Sequence, residues 1–270
     1  MSGAGMSGAG ATPNAMGRLV LVPNTLDLGT DHEVDLGDVL PQAVIHRAAQ
    51  LGFWVCENAK TTRALLKRVD QRMPLAQPLQ QIQISELPRP PKGGAARGGA
   101  GSAPDLRPLL APALAGHDIG LLSEAGLPAV ADPGAALVQA AHAMGIAVEP
   151  MAGPSSLLLA LAASGLNGQS FAFVGYLPVD ASARAARIRE LDTLSRRQGQ
   201  TQLAIETPYR NDALLGALIE HLQPTTRLGI ASGLTLPGCR CETRSVQQWR
   251  GAPGQALGGR MPTVFMWLAG

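Results

Sequence analysis

Short apolar or alternating runs separate segments of helical periodicity through the first 166 residues of the chain. Apolar runs are typical of strands buried in a parallel sheet, and apolar residues spaced by three or four are typical of amphipathic helices. The predicted strands are 18–23, 53–57, 79–85, 119–122 and 146–150. The predicted helices are 38–50, 58–70, 106–114, 135–144 and 157–163. This alternation predicts an α/β fold with a mostly parallel sheet and right-handed crossovers.

The pattern changes after Gly168, where strands and helices no longer alternate regularly. The predicted strands are 171–177, 203–206, 227–231, 241–246 and 263–268, and the predicted helices are 182–197 and 212–222. They indicate a mixed sheet with two helices packed on it. We therefore predict an N-terminal α/β domain at 18–166 and a C-terminal α/β domain at 167–270. The cleft between two such domains is a natural small-molecule site.

Two segments have a composition that cannot form a packed core. Residues 1–17 are small and polar and contain MSGAG twice, which predicts a disordered tail without a secretory signal. Residues 88–104 are of low complexity and predict a mobile surface loop. No apolar run reaches the roughly 18 residues of a membrane helix, so we expect no membrane segment. Without an export signal, we expect a cytoplasmic location.

Composition and charge add few constraints on function. Hydrophobic residues make up 46% and charged residues 16%, as in globular proteins, and the net charge of +2 neither requires nor excludes nucleic acid. Aromatic residues are only 3%, so the core must be mostly aliphatic. The thiols of Cys56, Cys239 and Cys241 and the five scattered histidines lack metal-ligand spacing. We expect no metal, and three small buried or half-buried thiols.

No G-x-G-x-x-G follows the first predicted strand, and G-x-x-x-x-G-K-[ST] and G-x-S-x-G are absent from the sequence. What remains is four loops that each follow a predicted strand, starting at Pro23, Glu57, Ser123 and Gly153. Ligands of open α/β sheets bind outside the carboxyl ends of the strands. The longest loop, 123–134, is rich in Gly, Pro and acidic residues, and it is the strongest candidate for a ligand-binding wall.

Five sequence blocks, in order and at compatible spacing, resemble those of one family. The blocks are S-E-A-G-L-P with D-P-G at 123–134, A-G-P-S-S at 152–156, S-G-L at 164–166, F-A-F-V-G-Y-L-P at 171–178 and I-E-T-P-Y-R at 205–210. Over about 18–268 the chain resembles the tetrapyrrole methylase superfamily of S-adenosylmethionine-dependent methyltransferases. Within it, the chain is most similar to the ribosomal RNA small-subunit methyltransferase I group, which methylates a cytidine ribose 2′-hydroxyl.

The resemblance implies a tetrapyrrole-methylase-like fold, S-adenosylmethionine in the interdomain cleft, an RNA substrate such as rRNA, and a homodimer. In-line methyl transfer needs positioning rather than a metal, and an hydroxyl acceptor benefits from a base. The candidate catalytic residues are Glu57 and Lys60. The residues implied to contact the cofactor are Pro23, Ser123, Glu124, Ala125, Gly126, Pro128, Ala131, Asp132, Gly134, Gly153, Ser155, Ser156 and Glu206.

Simpler structural roles are open for several of these residues. Asp132 precedes a proline, which predicts that it caps the helix that follows. Ser155 and Ser156 are also placed to cap a helix, whether or not they contact a ligand. Glu57 is as well explained as an ordinary loop acid.

The basic residues have two interpretations as well. Lys60, Arg63 and Lys67 share one helical face, which could follow an RNA backbone but is more often simply solvated. Arg187 and Glu190 are spaced to pair on a second basic helix. The Glu206 and Arg210 side chains either face the cleft or form a local pair, and the family block favours the cleft.

The chain departs from the family pattern in four segments. The family's V-P-T-P-I-G-N-L is V-P-N-T-L-D-L-G at 22–29, and E-D-T-R is E-N-A-K at 57–60. R-E-L-T-K is S-G-L-T-L at 232–236, and K-G-E is G-R-M at 259–261. These changes predict a divergent branch with altered substrate contacts. Methylation of a small molecule such as a tetrapyrrole, or a non-catalytic cofactor-binding module associated with RNA or the ribosome, stays open.

Overall fold

The structure is a computed structural model that describes residues 15–27, 30, 32–88, 104–251, 257 and 261–270. Most of the predicted tail at 1–17 and of the predicted loop at 88–104 lies outside the described residues. So do parts of the altered segments at 22–29 and 259–261. Within the described part of the chain, no helix is both long enough and apolar enough to cross a membrane.

Five parallel strands form the first sheet, as predicted. They are β1 Leu19–Leu21, β2 Phe53–Cys56, β3 Gln83–Glu86, β4 Ile119–Leu122 and β5 Val148–Pro150. Their order across the sheet is β3-β2-β4-β1-β5. The carboxyl ends of parallel strands meet at one edge, so the four candidate loops after β1, β2, β4 and β5 are gathered there.

Helices cover both faces of this sheet. They are α1 Leu36–Val39, α2 Gln42–Gln50, α3 Ala59–Arg72, α4 Ala111–Leu114 and α5 Ala135–Ala143. One core contains Trp54 and the other, on the opposite face, contains Leu121. A Cβ atom on Gly120 would lie 2.6 Å from Cε3 of Trp54, so only a glycine in β4 leaves room for the buried indole.

Two predicted elements of the first half are wrong in part. The predicted helix at 38–50 is interrupted because Pro41 lacks an N–H group, so that α1 ends before it and α2 starts after it. Asp35 caps α1 by accepting a hydrogen bond from the Gly37 N–H at 2.7 Å. The first part of the predicted strand at 79–85 is a 3-10 turn at Leu79–Gln81, and β3 follows it.

The second sheet is mixed, as predicted. Its strands are β6 Phe171–Phe173, β7 Thr201–Glu206, β8 Arg227–Ser232, β9 Arg240–Ser245 and β10 Thr263–Leu268, in the order β6-β7-β10-β8-β9. Strands β6 and β7 are parallel and the other pairs are antiparallel. The predicted strand at 171–177 is too long, because Gly175 turns the chain with a left-handed φ of 72°.

The two predicted helices of the second half are α7 Ala181–Gln198 and α8 Asn211–His221. A third helix, α9 Val246–Gly251, begins where a strand was predicted to end. The Trp249 indole is buried and donates a hydrogen bond to the Leu228 carbonyl at 2.9 Å, which anchors α9 against the sheet.

Helix α6 Ser156–Ser164 packs against the second sheet, although it precedes the predicted domain boundary at 166/167. Its Leu157, Ala160 and Leu161 side chains form one buried cluster with Val264 and Met266 of β10. The chain therefore passes from the first sheet to the second between β5 and α6. The loops of the first sheet and the start of α6 lie at this junction.

Candidate functional site

A cavity of about 410 Å³ lies at this junction, at the carboxyl edge of the first sheet. Its volume is in the range of small-molecule sites. The segment after β4 forms one wall, and the start of α6 and the ends of the second sheet's strands form the other. The lining residues are Leu26, Glu124, Ala125, Gly126, Leu127, Val130, Ala131, Asp132, Ser155, Ser156, Leu157, Tyr176, Ile205, Glu206, Thr207, Pro208, Gly233, Leu234, Pro262, Thr263 and Val264.

The buried side chain of Asn24 holds the first wall in place. Its Nδ2 donates to the carbonyls of Ser123 at 3.2 Å and Glu124 at 3.0 Å, and its backbone N–H donates to the Gly126 carbonyl at 2.9 Å. Buried backbone carbonyls need such partners. Although Asn24 departs from the family pattern, it connects the loop after β1 to the loop after β4.

The backbone of the first wall is unusual, because four of its residues have positive φ angles. Gly126 and Gly134 adopt 67° and 130°, which glycine tolerates, but Ala129 and Ala131 adopt 65° and 63°. A left-handed conformation costs a non-glycine residue roughly 1–2 kcal/mol. Ala131 lines the cavity together with its neighbour Asp132, so the strained backbone belongs to the cavity wall.

Glu57 lies behind the first wall. Its Oε2 accepts a hydrogen bond from the Glu124 N–H at 2.9 Å, and the Nδ2 of its neighbour Asn58 donates to Oε1 of Glu124 at 3.1 Å. Burial raises the pKa of the Glu57 carboxyl, and the charge of Glu124 adds to the rise. The geometry gives Glu57 contact with the loop backbone, outside the lining of the cavity.

Asp132 is the acid with the largest perturbation at the cavity. Burial, and then the charges of Glu57 and Glu124, raise its pKa from 3.8 to about 6, while the nearby Ser123 hydroxyl opposes the rise. The expectation that Asp132 caps the next helix is wrong. Helix α5 begins only after Gly134, whose φ of 130° separates Asp132 from the helix end.

Glu206 occupies the opposite wall at the end of β7. Its Oε1 accepts hydrogen bonds from the N–H of Thr207 at 2.7 Å and from its hydroxyl at 3.1 Å, and Arg210 Nη2 lies 2.8 Å from Oε2. Glu206 thus lines the cavity and also forms the local ion pair. Both interpretations hold for Glu206, whereas Arg210 forms the ion pair without lining the cavity.

The turn before α6 forms the part of the cavity wall that joins the two sheets. A Cβ on Gly153 would lie 2.2 Å from Cβ of Pro23, so this glycine lets the loops after β1 and β5 pack closely. Ser155 occupies the cap position of α6 and is buried, but its side chain makes no capping hydrogen bond with the described residues. The first N–H groups of α6 therefore start at the cavity wall, where they favour a negatively charged or polar ligand group.

Eight of the fifteen predicted site residues line the cavity: Glu124, Ala125, Gly126, Ala131, Asp132, Ser155, Ser156 and Glu206. Pro23, Ser123, Gly153 and Glu57 support the walls from behind, and Pro128 and Gly134 belong to the same loop without lining it. Lys60 is exposed near the start of α3 and outside the lining.

The lining residues that sequence reasoning missed come from two sources. Leu26 and Tyr176 lie in segments that were recognised but whose individual side chains were not chosen. Leu234, Pro262 and Thr263 reach the cavity because the antiparallel strands β8 and β10 bring distant segments together. Local sequence carries no signal for that pairing.

The remaining sequence predictions concern the possible metal ligands, the three thiols and the basic helix. No group of three His, Cys, Asp or Glu side chains that could hold a metal occurs among the described residues. Cys56 is buried, but the expectation of buried or half-buried thiols is wrong for Cys239 and Cys241, which are exposed with their Sγ atoms 3.9 Å apart. Arg187 pairs with Glu190 at 2.7 Å, as predicted.

Two α/β halves enclose a cavity at the strand ends, with three carboxylates among mostly apolar lining residues. The family model described as Tetrapyrrole (Corrin/Porphyrin) Methylases matches residues 43–248, and the chain belongs to this family. The resemblance inferred from the five sequence blocks is thereby confirmed at the level of the family.

Relatives with curated names share part of the chain. Ribosomal RNA small subunit methyltransferase I of Mesorhizobium japonicum is 39% identical over 127 residues, which are 47% of this chain and 42% of that protein. The protein of the same name from Vibrio cholerae is 36% identical over 122 residues, 45% of this chain and 41% of that protein. The chain thus matches less than half the length of these relatives.

Solved structures agree in fold at low sequence identity. A cobalt precorrin-4 methyltransferase of cobalamin biosynthesis superimposes with a TM-score of 0.54 at 12% identity, covering 97% of this chain and 98% of that one. A conserved hypothetical protein from Aeropyrum pernix K1 gives a TM-score of 0.57 at 16% identity, with 94% and 85% covered. They confirm the two-sheet fold.

Proposed function

We propose that this chain is an S-adenosylmethionine-dependent methyltransferase whose acceptor is the ribose 2′-hydroxyl of a cytidine in ribosomal RNA. The observation that carries the proposal is the cavity between the two sheets, because its walls are the sequence blocks that resemble the family. The names of the relatives support ribosomal RNA as the substrate. Such a substrate would place the protein in the cytoplasm, and the resemblance supports a homodimer.

The residues of the cavity fit S-adenosylmethionine. Glu124, Asp132 and Glu206 supply carboxylates that favour a sulfonium cation. Apolar side chains, Leu127 and Leu157 among them, provide surface for the flat base. The free N–H groups at the start of α6 and the hydroxyl of Ser155 suit the carboxylate of the methionine moiety. When bound, the cofactor supplies a methyl group activated by the sulfonium charge.

The chain's own residues would position the acceptor and take its proton. Holding the hydroxyl oxygen in line with the methyl group provides most of the rate. The carboxyl of Asp132, with a pKa of about 6, is largely ionised at neutral pH and close to the optimum for a general base. We keep Glu57 and Lys60 as catalytic candidates. Glu57 would position the Glu124 backbone through the hydrogen bond that it accepts from the Glu124 N–H. Lys60 would bind a phosphate group of the RNA.

Calorimetry with S-adenosylmethionine and transfer of labelled methyl to small-subunit RNA test the proposal. We expect saturable heat, incorporation at a ribose, and at least tenfold weaker cofactor binding in Glu206→Gln. Glu220→Gln, an exposed glutamate on α8, is the matched control and should bind as the unmodified chain does. Folded protein that releases no heat at millimolar cofactor would refute the cofactor assignment.

A tetrapyrrole acceptor is the second candidate, since the matching family is described by that substrate class and the segment at 232–236 is altered. Methyl transfer to a tetrapyrrole but not to RNA would select it. Cofactor binding without transfer to either would indicate a non-catalytic binding module.

A further inference from the structure

The chain contains only two tyrosines, Tyr176 and Tyr209, and both are exposed. Their relative exposures are 60% and 77%, whereas the three tryptophans, Trp54, Trp249 and Trp267, are buried. An aromatic ring in water loses the stabilisation that burial provides, and exposed tyrosines are enriched where a partner covers them. The position of these two rings is therefore informative.

The topology of the second sheet places Tyr176 in the cavity wall and Tyr209 directly after two lining residues, Thr207 and Pro208. Strands β6 and β7 are parallel neighbours, so their carboxyl ends share one edge. The Ile205 N–H donates to the Gly175 carbonyl at 3.2 Å, which continues the pairing beyond β6 and sets Tyr176 beside Glu206. Tyr209 lies in the short turn Pro208–Arg210 that follows Thr207, a lining residue.

The surroundings of Tyr176 hold its segment in place and keep its phenol protonated. Arg184 of α7 donates to the Val179 carbonyl at 3.2 Å and so ties down the segment that carries Tyr176. Partial burial of the phenol against the cavity wall, and then the charges of Asp132, Glu206 and Glu57, raise the pKa of Tyr176. The ring is therefore neutral at physiological pH, with an O–H group that is free to donate.

We propose that Tyr176 and Tyr209 form a stacking site that receives the nucleobase of the acceptor nucleotide, turned out of a single-stranded RNA segment. This inference rests on the proposed function and names how the acceptor is held. Single-stranded RNA bases stack on exposed aromatic side chains, and each such contact is commonly a large part of the affinity. Stacking at the mouth would present the ribose of the same nucleotide to the carboxylates inside.

The experiment compares Tyr176→Ala and Tyr209→Ala with the corresponding phenylalanine variants in the full chain. Phe171→Ala is the control, because it removes an exposed ring at the opposite end of β6. Two affinities are measured, for S-adenosylmethionine by calorimetry and for a single-stranded RNA containing the small-subunit target by fluorescence anisotropy. We expect each alanine variant to bind RNA about tenfold more weakly. Tyr209→Ala, whose ring lies outside the cavity lining, should keep its cofactor affinity within twofold of the unmodified chain.

The phenylalanine variants should bind RNA normally because they keep the stacking ring, and Phe171→Ala should do so because its ring lies at the far end of β6. A merely structural role of Tyr209 would lower the cofactor affinity or thermal stability of Tyr209→Ala together with its RNA affinity. Alanine variants that lose cofactor and keep RNA would overturn the inference, and so would unmodified protein that binds no RNA. If RNA binds and depends on the tyrosines but no methyl group is transferred, the stacking site stands and the proposed enzymatic function fails.

Discussion

At the scale of single residues, the ionised carboxylate of Asp132 lowers the free energy of unfolding of the chain. Its carboxyl is half-buried beside two other acids, Glu57 and Glu124, and its pKa is raised to about 6. Because the pKa in the folded chain exceeds that of an unfolded aspartate, 3.8, the folded state binds more protons between these values. This contribution favours folding at low pH and is lost as the pH rises through about 6.

Replacing Asp132 with Asn should therefore stabilise the free protein at neutral pH. We expect a gain of about 1 kcal/mol at pH 8, after allowing for solvent screening of a half-exposed group, and almost none at pH 4. Urea unfolding at both pH values measures it. The same variant should bind S-adenosylmethionine more weakly, and equal stabilisation at both pH values would contradict the electrostatic explanation.

The close approach of Gly153 to Pro23 predicts that a larger residue at position 153 destabilises the chain. In Gly153→Ala the new methyl group would meet the ring of Pro23 at 2.2 Å, which the two loops can relieve only by moving apart. Overpacking of this kind costs about 1–3 kcal/mol. Gly168→Ala is the control, because no atom lies within 4 Å of its Cβ position. Thermal unfolding should separate the two variants, and equal midpoints would contradict the close approach.

At the scale of elements, the site depends on a loop whose conformation comes from a neighbouring loop. Asn24 satisfies two carbonyls of the segment after β4 and replaces the contacts that a regular element would make. This explains why a departure from the family pattern can still belong to the site. The amide is short, polar and buried, and its bonds join the ends of two adjacent strands.

Asn24→Ala should loosen this connection. Losing the amide leaves two carbonyls without a donor and should cost about 1–3 kcal/mol of unfolding free energy. Cofactor affinity should fall at least fivefold. Asn167→Ala is the control, since it removes an amide that bonds the Gly199 carbonyl in the other half. It should lower stability without changing cofactor affinity, measured on the folded fraction.

The pattern of apolar and polar residues predicts most helices and strands and one wall of the cavity. The other wall depends on the pairing of strands that are distant in sequence. The apolar runs located the strands of the parallel sheet, and the Gly- and Pro-rich loop was identified as a wall. Pattern could not place Thr263 beside Ser232, because that pairing joins segments 31 residues apart. It also could not anticipate that Ala131 adopts a left-handed φ, since alanine rarely does so.

At the scale of the whole molecule, the two sheets have separate cores and share the cavity. A ligand that contacts both walls adds its binding free energy to the stability of the folded chain. S-adenosylmethionine at 100 times its Kd should add about 2.7 kcal/mol. Calorimetric scanning should show one unfolding transition moving to higher Tm, whereas methionine at the same concentration should leave Tm unchanged.

The packing of α6 on the second sheet has a consequence for dissection of the chain. Among the helices and strands that the structure describes, the chain passes from one half to the other between β5 and α6. A break near Gly153 therefore leaves each fragment with its own sheet and most of its own helices. The cavity then exists only where the fragments associate. A ligand that contacts both walls would then stabilise the complex of the two fragments. Association of the fragments would report whether the cavity is occupied, without any need for catalysis.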